Sequence, residues 1–226
     1  MDQKTLHLGN LDIQNLTQRT VSILGGKGSG KTTTMKMMAA VSPVPVVLFD
    51  PLNVMKVKGF KRLIVNKSTI TKGKDTAQLL NKLKKENIII AFHELLQKEQ
   101  ATFLNDLFAH WKPENILIGI DEVHEVTPES GVSGQYAPEV DRAIRHWRNR
   151  NVGFVLSSQR PASVDKNVLA LTDFLILYRM TWPHDIEATK KILGNKLSPE
   201  EVKSTIAALQ TKQFLQGFAV DFIQKT

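Results

Sequence analysis

A glycine-rich segment between an apolar run and a helical pattern has the residues needed to bind a nucleoside triphosphate. It reads ILGGKGSGKTTT and contains Gly25-x-x-x-x-Gly30-Lys31-Thr32, the spacing of a P-loop (Walker A). The glycines let backbone N–H groups turn toward phosphate oxygens, and the following helix adds the positive end of its dipole. Lys31 is expected to reach the β- and γ-phosphates, and the Thr32 hydroxyl is expected to ligate Mg²⁺. The residues predicted to bind ATP are Gly25, Gly26, Lys27, Gly28, Ser29, Gly30, Lys31, Thr32 and Thr33.

Two acidic residues follow a second apolar run, in the segment ILIGIDEVHE (Walker B). Asp121 is expected at the carboxyl edge of the sheet beside the P-loop, where its carboxylate can hold the metal ion. Glu122 can polarise the water that attacks the γ-phosphate, or it only caps the following loop. A kinase or a switch GTPase would not need that water-activating acid, so the pair favours an ATPase. His124 and Glu125 resemble a weak metal-binding pair, and we interpret them as polar loop residues.

Short β-branched runs alternate with helical patterns along the chain, which is typical of βαβ units and a parallel sheet. The predicted strands are 21–24, 44–49, 62–65, 87–92, 115–120, 153–158 and 174–178. The predicted helices are 31–41, 75–85, 95–110, 138–150, 165–171 and 183–193. A final pair of strands, 213–215 and 218–223 around Gly217, predicts a terminal hairpin. We therefore predict an α/β, RecA-like P-loop fold with a doubly wound, mainly parallel sheet and an extra strand between the two nucleotide motifs.

The composition bounds the class of protein. The 226 residues, 42% hydrophobic and 23% charged, suit one globular domain, and we expect residues 1–226 to form a single P-loop ATPase domain. No apolar run approaches the roughly 18 residues needed to span a membrane, and the N-terminus lacks the layout of a secretion signal. The chain has no cysteine, which excludes disulfides and thiolate metal sites. These observations favour a cytoplasmic location.

The segment RHWRNRNVGFVLSSQRPASVDKNVLALTDFLILYRM, which follows IDEVHE, carries a resemblance to a known family. It resembles the HerA/FtsK superfamily of DNA-pumping ATPases, in which a strand ending in DE is followed by an Arg-bearing helix, a Gly and an apolar strand ending in (T/S)QRP. The ending LQTKQFLQGFAVDFI also looks like the closing hairpin of that family. The resemblance covers about residues 20–224, and its three motifs together are more specific than any one alone. One departure is Lys27, which stands where the family more often has Thr.

The resemblance implies a role for residues beyond the P-loop and the acidic pair. Gln159 would be a polar sensor at the end of a strand beside the P-loop strand, bonded toward the γ-phosphate or the attacking water. Arg160 would shape the loop or contact a neighbour. The interfacial arginine of the family matches Arg150, with Arg148 as second candidate. The catalytic set so implied is Glu122, Lys31, Gln159, Arg150 and Arg148, with Thr32 and Asp121 as metal ligands.

Helical periodicity offers a check on these arginines. At 3.6 residues per turn, one apolar face contains Val140, Ala143, Ile144 and Trp147. Arg148 and Arg150 then occupy the two shoulders of that face, from which an arginine can reach the nucleotide of a neighbouring subunit. The alternative is that both are solvated arginines on an exposed helix. The in-trans interpretation predicts a ring-forming homo-oligomer.

A compact core of this size is similar to the genome-packaging ATPases of tailless icosahedral viruses with internal membranes. The resemblance implies a Mg²⁺-dependent ATPase that pumps DNA, double-stranded and without sequence preference, into a preformed capsid. Its partners would be capsid or membrane proteins at a portal vertex, and its location the host cytoplasm or the virion. One alternative is a HerA-like or conjugative DNA motor with a nuclease or membrane partner. Another is a secretion or extrusion ATPase that does not act on DNA.

The charge of the chain is concentrated in one tract. The net charge is +8, and residues 56–74 contain six lysines and Arg62 with no acid. Lysine and arginine contact phosphates without reading the base sequence, as a DNA motor requires. We therefore predict that Lys58, Lys61 and Arg62 lie near the DNA path. The alternative is a solvated basic face.

Overall fold

A single sheet organises the protein in a computed structural model, which describes residues 13–129, 136–193, 200 and 214–218. Its strands within these residues are β1 (Thr20–Leu24), β2 (Val46–Asp50), β3 (Lys61–Val65), β4 (Ile88–Phe92), β5 (Ile116–Ile120), β6 (Val152–Ser158), β7 (Phe174–Tyr178) and β8 (Phe214–Phe218). They lie in the order β3-β4-β2-β5-β6-β1-β7-β8. Strands β1 to β7 are parallel to their neighbours and β8 is antiparallel to β7, so the carboxyl ends of seven strands meet at one edge.

The central strands are buried along their whole length, which explains their continuous apolar sequences. Every residue of β1, β2, β4, β5, β6 and β7 is buried. A parallel sheet covered on both faces requires apolar residues on both sides of each strand. All seven predicted strands up to residue 178 are confirmed, with ends that differ by at most two residues.

Helices cover both faces of the sheet, which confirms the doubly wound prediction. They are α1 (Lys31–Val41), α2 (Gly73–Lys82), α3 (Gln97–His110), α4 (Pro138–His146), α5 (Lys166–Ala170) and α6 (Pro183–Leu193). Met35 and Met38 of α1 pack with Leu48 on one face, whereas Phe49 points into the core beneath α2, α3 and α4 on the other. Among the described helices, none is long and apolar enough to cross a membrane.

Three strands, β2 to β4, lie between the two nucleotide motifs along the chain, and the extra strand between the two motif strands in the sheet is β6. It lies between β1, which leads into the P-loop, and β5, which leads into Asp121. Leu24 of β1 is paired with Ser158, and Ile120 of β5 is paired with Leu156. The residues that follow β6, Gln159, Arg160 and Pro161 (the QRP segment), therefore leave the sheet between the P-loop and the acidic pair.

Two details of the predicted elements are wrong. Gly217 does not form a turn, because it lies inside β8 as the ladder partner of Leu175. The second strand of the predicted hairpin falls largely outside the described residues. The predicted helix 138–150 is α-helical only to His146, and a 3₁₀ turn spans Trp147–Arg150. The chain leaves this turn through Asn151, which has a left-handed backbone conformation, and β6 begins at the next residue.

An aromatic cluster anchors the segment that enters β6. The Trp147 ring stacks on Phe108 at 5.2 Å between centroids, and Trp111 meets it edge-on at 6.0 Å. Aromatic pairs in these geometries contribute about 1 kcal/mol each beyond the area they bury. Trp147 therefore fixes the position of the arginine-bearing turn relative to α3.

The start of β6 passes so close to residues 13–18, a 3₁₀ turn, that only glycine fits at position 153. A Cβ on Gly153 would lie 1.8 Å from the carbonyl oxygen of Leu16. We expect Gly153→Ala to lower the free energy of unfolding by about 3 kcal/mol, because backbone atoms must move to relieve the overlap. Gly59→Ala is the matched control: its Cβ would meet open space and only its φ of +84° is unfavourable, so we expect a loss of about 1 kcal/mol. Urea denaturation measures both, and equal losses would contradict the close approach.

Candidate nucleotide-binding site

The P-loop is held at the carboxyl edge of the sheet by backbone bonds to two neighbouring strand ends. The Gly25 N–H donates to the carbonyl oxygen of Ser158 at 3.2 Å, and the Gly26 N–H donates to that of Arg179 at 2.8 Å. Gly28 and Gly30 have φ values of +73° and +116°, which favour glycine. Gly30 immediately precedes α1, so the loop ends at a helix N-terminus, where anions are stabilised.

Lys31 is buried beneath the loop. Its Nζ donates to the carbonyl oxygen of Gly26 at 2.9 Å. Burial lowers the pKa of Lys31, while the nearby carboxylates of Glu122 and Asp121 act in the opposite direction. The Ser29 hydroxyl is buried and has no hydrogen-bond partner within the described residues. A buried ammonium group and an unpaired hydroxyl in one loop fit a phosphate-binding cradle.

The other predicted P-loop residues differ in exposure. Lys27 and Thr33 are exposed, whereas Gly25 is packed against Tyr178 at the end of β7. The Tyr178 hydroxyl bonds to that of Thr34 in α1, so the tyrosine ties the P-loop helix to β7. The sequence did not identify Tyr178 as part of the site. The feature that could have indicated Tyr178 was its hydroxyl group at the end of an apolar predicted strand.

Asp121 joins the ends of three elements. Its Oδ2 accepts from the Thr32 hydroxyl of α1 at 3.1 Å, and its Oδ1 accepts from the Ser157 hydroxyl of β6. Asp121 is only 3% exposed. Carboxylate and hydroxyl oxygens are ligands that Mg²⁺ prefers, so Thr32 and Asp121 have the chemistry and proximity to hold this ion together with water and phosphate oxygens. The described residues contain no group of three or more His, Cys, Asp or Glu side chains that could hold a metal by themselves.

Glu122 is buried with one carboxylate oxygen anchored. Its Oε2 accepts from the Gln159 backbone N–H at 3.0 Å and lies 3.3 Å from Nδ1 of His124, whereas Oε1 has no hydrogen bond to any described residue. Glu122 has φ 47°, ψ 52°, a left-handed conformation that is rare outside glycine and often occurs at functional sites. Burial raises the pKa of Glu122, and the Gln159 N–H and His124 partly oppose that effect.

The QRP segment contacts Glu122 through a backbone hydrogen bond. Gln159 is half-buried, and its backbone N–H donates to Oε2 of Glu122. Arg160 is exposed, and its backbone N–H donates to the Ser158 hydroxyl at 3.0 Å. Pro161 begins a short 3₁₀ turn that carries the chain away from the sheet.

Arg148 and Arg150 lie at the opposite edge of the sheet from the P-loop of the same chain. They precede β6, whose seven residues span about 20 Å. Arg148 is exposed and lies 3.7 Å from Asp173. Arg150 is also exposed, and its side chain has no polar partner in the described part of the chain. The predicted apolar face is confirmed, since Val140, Ala143, Ile144 and Trp147 are buried, but the shoulder positions are wrong because the α-helix ends at His146.

The basic tract surrounds the edge strand β3, with four strands between it and β1. Arg62 donates to Asp50 at 3.2 Å and to the carbonyl oxygen of Met55 at 2.6 Å, and it also bonds Asn53. Lys61 pairs with Glu86 at 2.9 Å, whereas Lys58 is exposed without a partner among the described residues. Arg62 therefore orders the segment after β2, and Lys58 is the freest of the three predicted DNA contacts.

Sequence analysis missed two other members of the site. Ser157 holds Asp121, although the sequence shows it only as part of an apolar run. His124, interpreted as a polar loop residue, is buried between Glu122 and Glu125. Ser157 could have been identified from its position at the end of a strand. The carboxyl ends of parallel strands meet at one edge of the sheet, so the hydroxyls at the end of β6 lie near the acids that follow β5.

Comparisons with known proteins agree with this geometry. The family model described as ATPase family associated with various cellular activities (AAA) matches residues 21–180. No curated protein matches the sequence. Solved structures with 12–17% sequence identity to this chain share its fold.

Three solved structures illustrate that fold. The genome packaging NTPase B204 from Sulfolobus turreted icosahedral virus 2, in complex with sulfate, is 16% identical, covers 91% of this chain and 94% of its own, and has a TM-score of 0.61. B204, the DNA-packaging ATPase from Sulfolobus turreted icosahedral virus, is 17% identical with coverages of 90% and 93% and a TM-score of 0.56. VirB4 of Thermoanaerobacter pseudethanolicus is 12% identical with coverages of 92% and 89% and a TM-score of 0.53.

The buried charge of Glu122 predicts a pH-dependent gain in stability on its removal. Because burial raises the pKa of Glu122, its ionised form is less stable in the folded protein than in the unfolded chain, so this cost is present at neutral pH and disappears as the carboxyl is protonated. We expect Glu122→Gln to raise the melting temperature at pH 7, with the gain shrinking as the pH falls toward 4. The exposed Glu114→Gln is the control and should show no such gain. A Glu122→Gln variant less stable than the wild type at pH 7 would contradict the desolvation argument.

Proposed function

The chain belongs to the ATPase family associated with various cellular activities, and from this premise we propose that it is a Mg²⁺-dependent, ATP-driven DNA translocase that packages a viral genome. The observation that carries the hydrolytic part is the carboxylate of Glu122, anchored at Oε2 and open at Oε1, beside the P-loop and Asp121. Residues 1–226 would act as one ATPase domain.

Each predicted site residue has a proposed role in hydrolysis. The loop Gly25–Thr33 binds the phosphates of ATP through backbone N–H groups, and Lys31, whose ammonium has three donors, contacts the β- and γ-phosphates. Thr32 and Asp121 would hold Mg²⁺, which would neutralise charge on the phosphate oxygens. Glu122 accepts a proton at Oε1 from the water whose oxygen bonds to the γ-phosphorus. The bond from that phosphorus to the oxygen bridging it to the β-phosphate breaks, and ADP and phosphate leave. Gln159 orients that water or the γ-phosphate.

The position of Arg150 supports completion of the site by a neighbour. It lies at the far end of β6 from Gln159, so it cannot reach the P-loop of its own chain. Its side chain is exposed and lacks a polar partner in the described residues, whereas Arg148 faces Asp173. We propose that Arg150 contacts the nucleotide of the next subunit in a homo-oligomeric ring, with Arg148 as the second candidate. An arginine supplied in this way is worth on the order of 10³–10⁵ in turnover.

Two observations support DNA as the substrate. The fold matches B204, a genome packaging NTPase, over 91% of this chain, and the surface around β3 is basic. Phosphate contacts by lysine give affinity without sequence preference. We propose that Lys58 contacts DNA, with Lys61 beside it, while Arg62 orders the segment that carries Lys58. Capsid or membrane proteins at a portal vertex would be the partners, in the host cytoplasm or on the virion.

The DNA assignment is tested by the ATPase rate with and without double-stranded DNA. We expect DNA of random sequence to raise kcat several-fold, and we expect this stimulation to weaken with salt because phosphate contacts release counterions. Glu122→Gln should bind ATP without hydrolysing it. A rate that does not respond to DNA would favour a secretion or extrusion ATPase instead.

The ring assignment is tested by mixing two inactive variants, Lys31→Ala and Arg150→Ala. In a randomly mixed ring, about a quarter of the sites pair an intact P-loop with an intact neighbouring arginine, so activity should partly return. Arg142→Ala is the matched control, since Arg142 is exposed on α4 and pairs with Glu139 at 3.6 Å; this variant should be active alone. Mixed rings without recovered activity would overturn the role of Arg150.

A further inference from the structure

His124 lies in a buried position between two carboxylates. Its Nδ1 is 3.3 Å from Oε2 of Glu122, and its Nε2 is 3.3 Å from Oε1 of Glu125. Nδ1 is also 3.0 Å from the hydroxyl of Ser158, the last residue of β6. The imidazole therefore has polar partners at both nitrogens. A buried ring with such partners has a defined orientation, unlike a solvated side chain on a loop.

The contact to Glu122 acts on the oxygen that is already anchored. The Gln159 N–H holds Oε2 of Glu122, but a single bond leaves the carboxylate free to rotate, because the terminal torsion of glutamate is broad. The imidazole lies 3.3 Å from the same oxygen on a second side, and with the proton on Nδ1 it donates to that oxygen and restricts the rotation. The free Oε1 then points in one direction instead of sampling several.

Glu125 holds the imidazole from behind. Its Oε1 faces Nε2 of His124, and its Oε2 accepts from the side-chain amide of Gln97, the first residue of α3. Glu125 is thus fixed from both sides, and a line of side chains runs from α3 through Glu125 and His124 to Glu122. In such arrangements a carboxylate orients a histidine that contacts a reactive group. The histidine then fixes the orientation of that group and does not itself react.

We propose that His124 is a positioning residue for ATP hydrolysis, which directs Oε1 of Glu122 toward the attacking water, and that Glu125 holds the imidazole in place. This inference rests on the proposed function, in which Glu122 is the general base. It assigns a role to the two residues of the IDEVHE segment that the nucleotide chemistry leaves unexplained.

Three substitutions at position 124 test the proposal. His124→Ala removes both contacts; His124→Asn keeps an amide near the position of Nδ1, toward Glu122; and His124→Gln keeps one near Nε2, toward Glu125. We expect His124→Ala to lower kcat by about 100-fold, because a misdirected base loses the attack geometry. KM and the dissociation constant for a non-hydrolysable ATP analogue should stay within about three-fold, since the P-loop is untouched. His124→Asn should recover much of kcat, and His124→Gln should resemble His124→Ala.

The controls separate this inference from the proposed function. His110→Ala removes an exposed histidine that pairs with an acid, Asp106 at 3.2 Å, far from the site, and it should leave kcat unchanged. If Glu122→Gln still hydrolyses ATP, the proposed role of Glu122 as the general base fails, and this inference fails with it. If Glu122→Gln is inactive while His124→Ala keeps kcat within about two-fold of the wild type, only the inference fails. A third outcome would also overturn the inference: all three variants lose melting temperature and analogue binding equally, and His124→Asn recovers no activity. That result would show that His124 has a structural role.

Discussion

The carboxylate of Asp121 is the contact on which the geometry of the site depends. Asp121 directly follows β5, and its carboxylate accepts hydrogen bonds from the Thr32 hydroxyl at the start of α1 and from the Ser157 hydroxyl near the end of β6. Three segments that are distant in sequence are thereby joined at one buried point. Glu122 follows in a left-handed conformation and turns its carboxylate under the end of β6, where the Gln159 N–H meets it. A change at Asp121 would therefore displace Thr32, Ser157 and Glu122 together.

The site also concentrates the buried side chains of Lys31, Asp121 and Glu122, and the pKa values of Lys31 and Glu122 depend on the charges beside them. Burial lowers the pKa of Lys31 and raises that of Glu122. Each of these groups opposes the effect of burial on the other, because an opposite charge nearby favours the ionised form. This balance is characteristic of functional sites, where polar groups are kept out of water before the substrate arrives. The histidine between Glu122 and Glu125 continues the same network toward α3.

The strand β6 separates the candidate nucleotide site from the turn that carries Arg148 and Arg150. Its carboxyl end contributes Ser157, Ser158 and the Gln159 N–H to the nucleotide edge, while its amino end follows the arginine turn fixed by Trp147. Because β6 is buried along its whole length in a close-packed core, the same packing fixes the positions of both of its ends. In a ring, the proposed arrangement would couple the occupancy of one site to the geometry of the next.

The sequence by itself determined what depends on local spacing: the P-loop, the acidic pair, seven strands and the alternation of strands with helices. These follow from short-range periodicity and from the residue types that phosphate and Mg²⁺ require. Only the tertiary structure decided which strand ends meet, so it showed that Ser157 holds Asp121, that His124 is buried, and that Arg62 is bonded to Asp50 rather than free. Gly217 was misread for the same reason, since its place inside β8 depends on pairing with β7, about 40 residues earlier. Pairing of this kind is a property of the whole sheet, which no local pattern encodes.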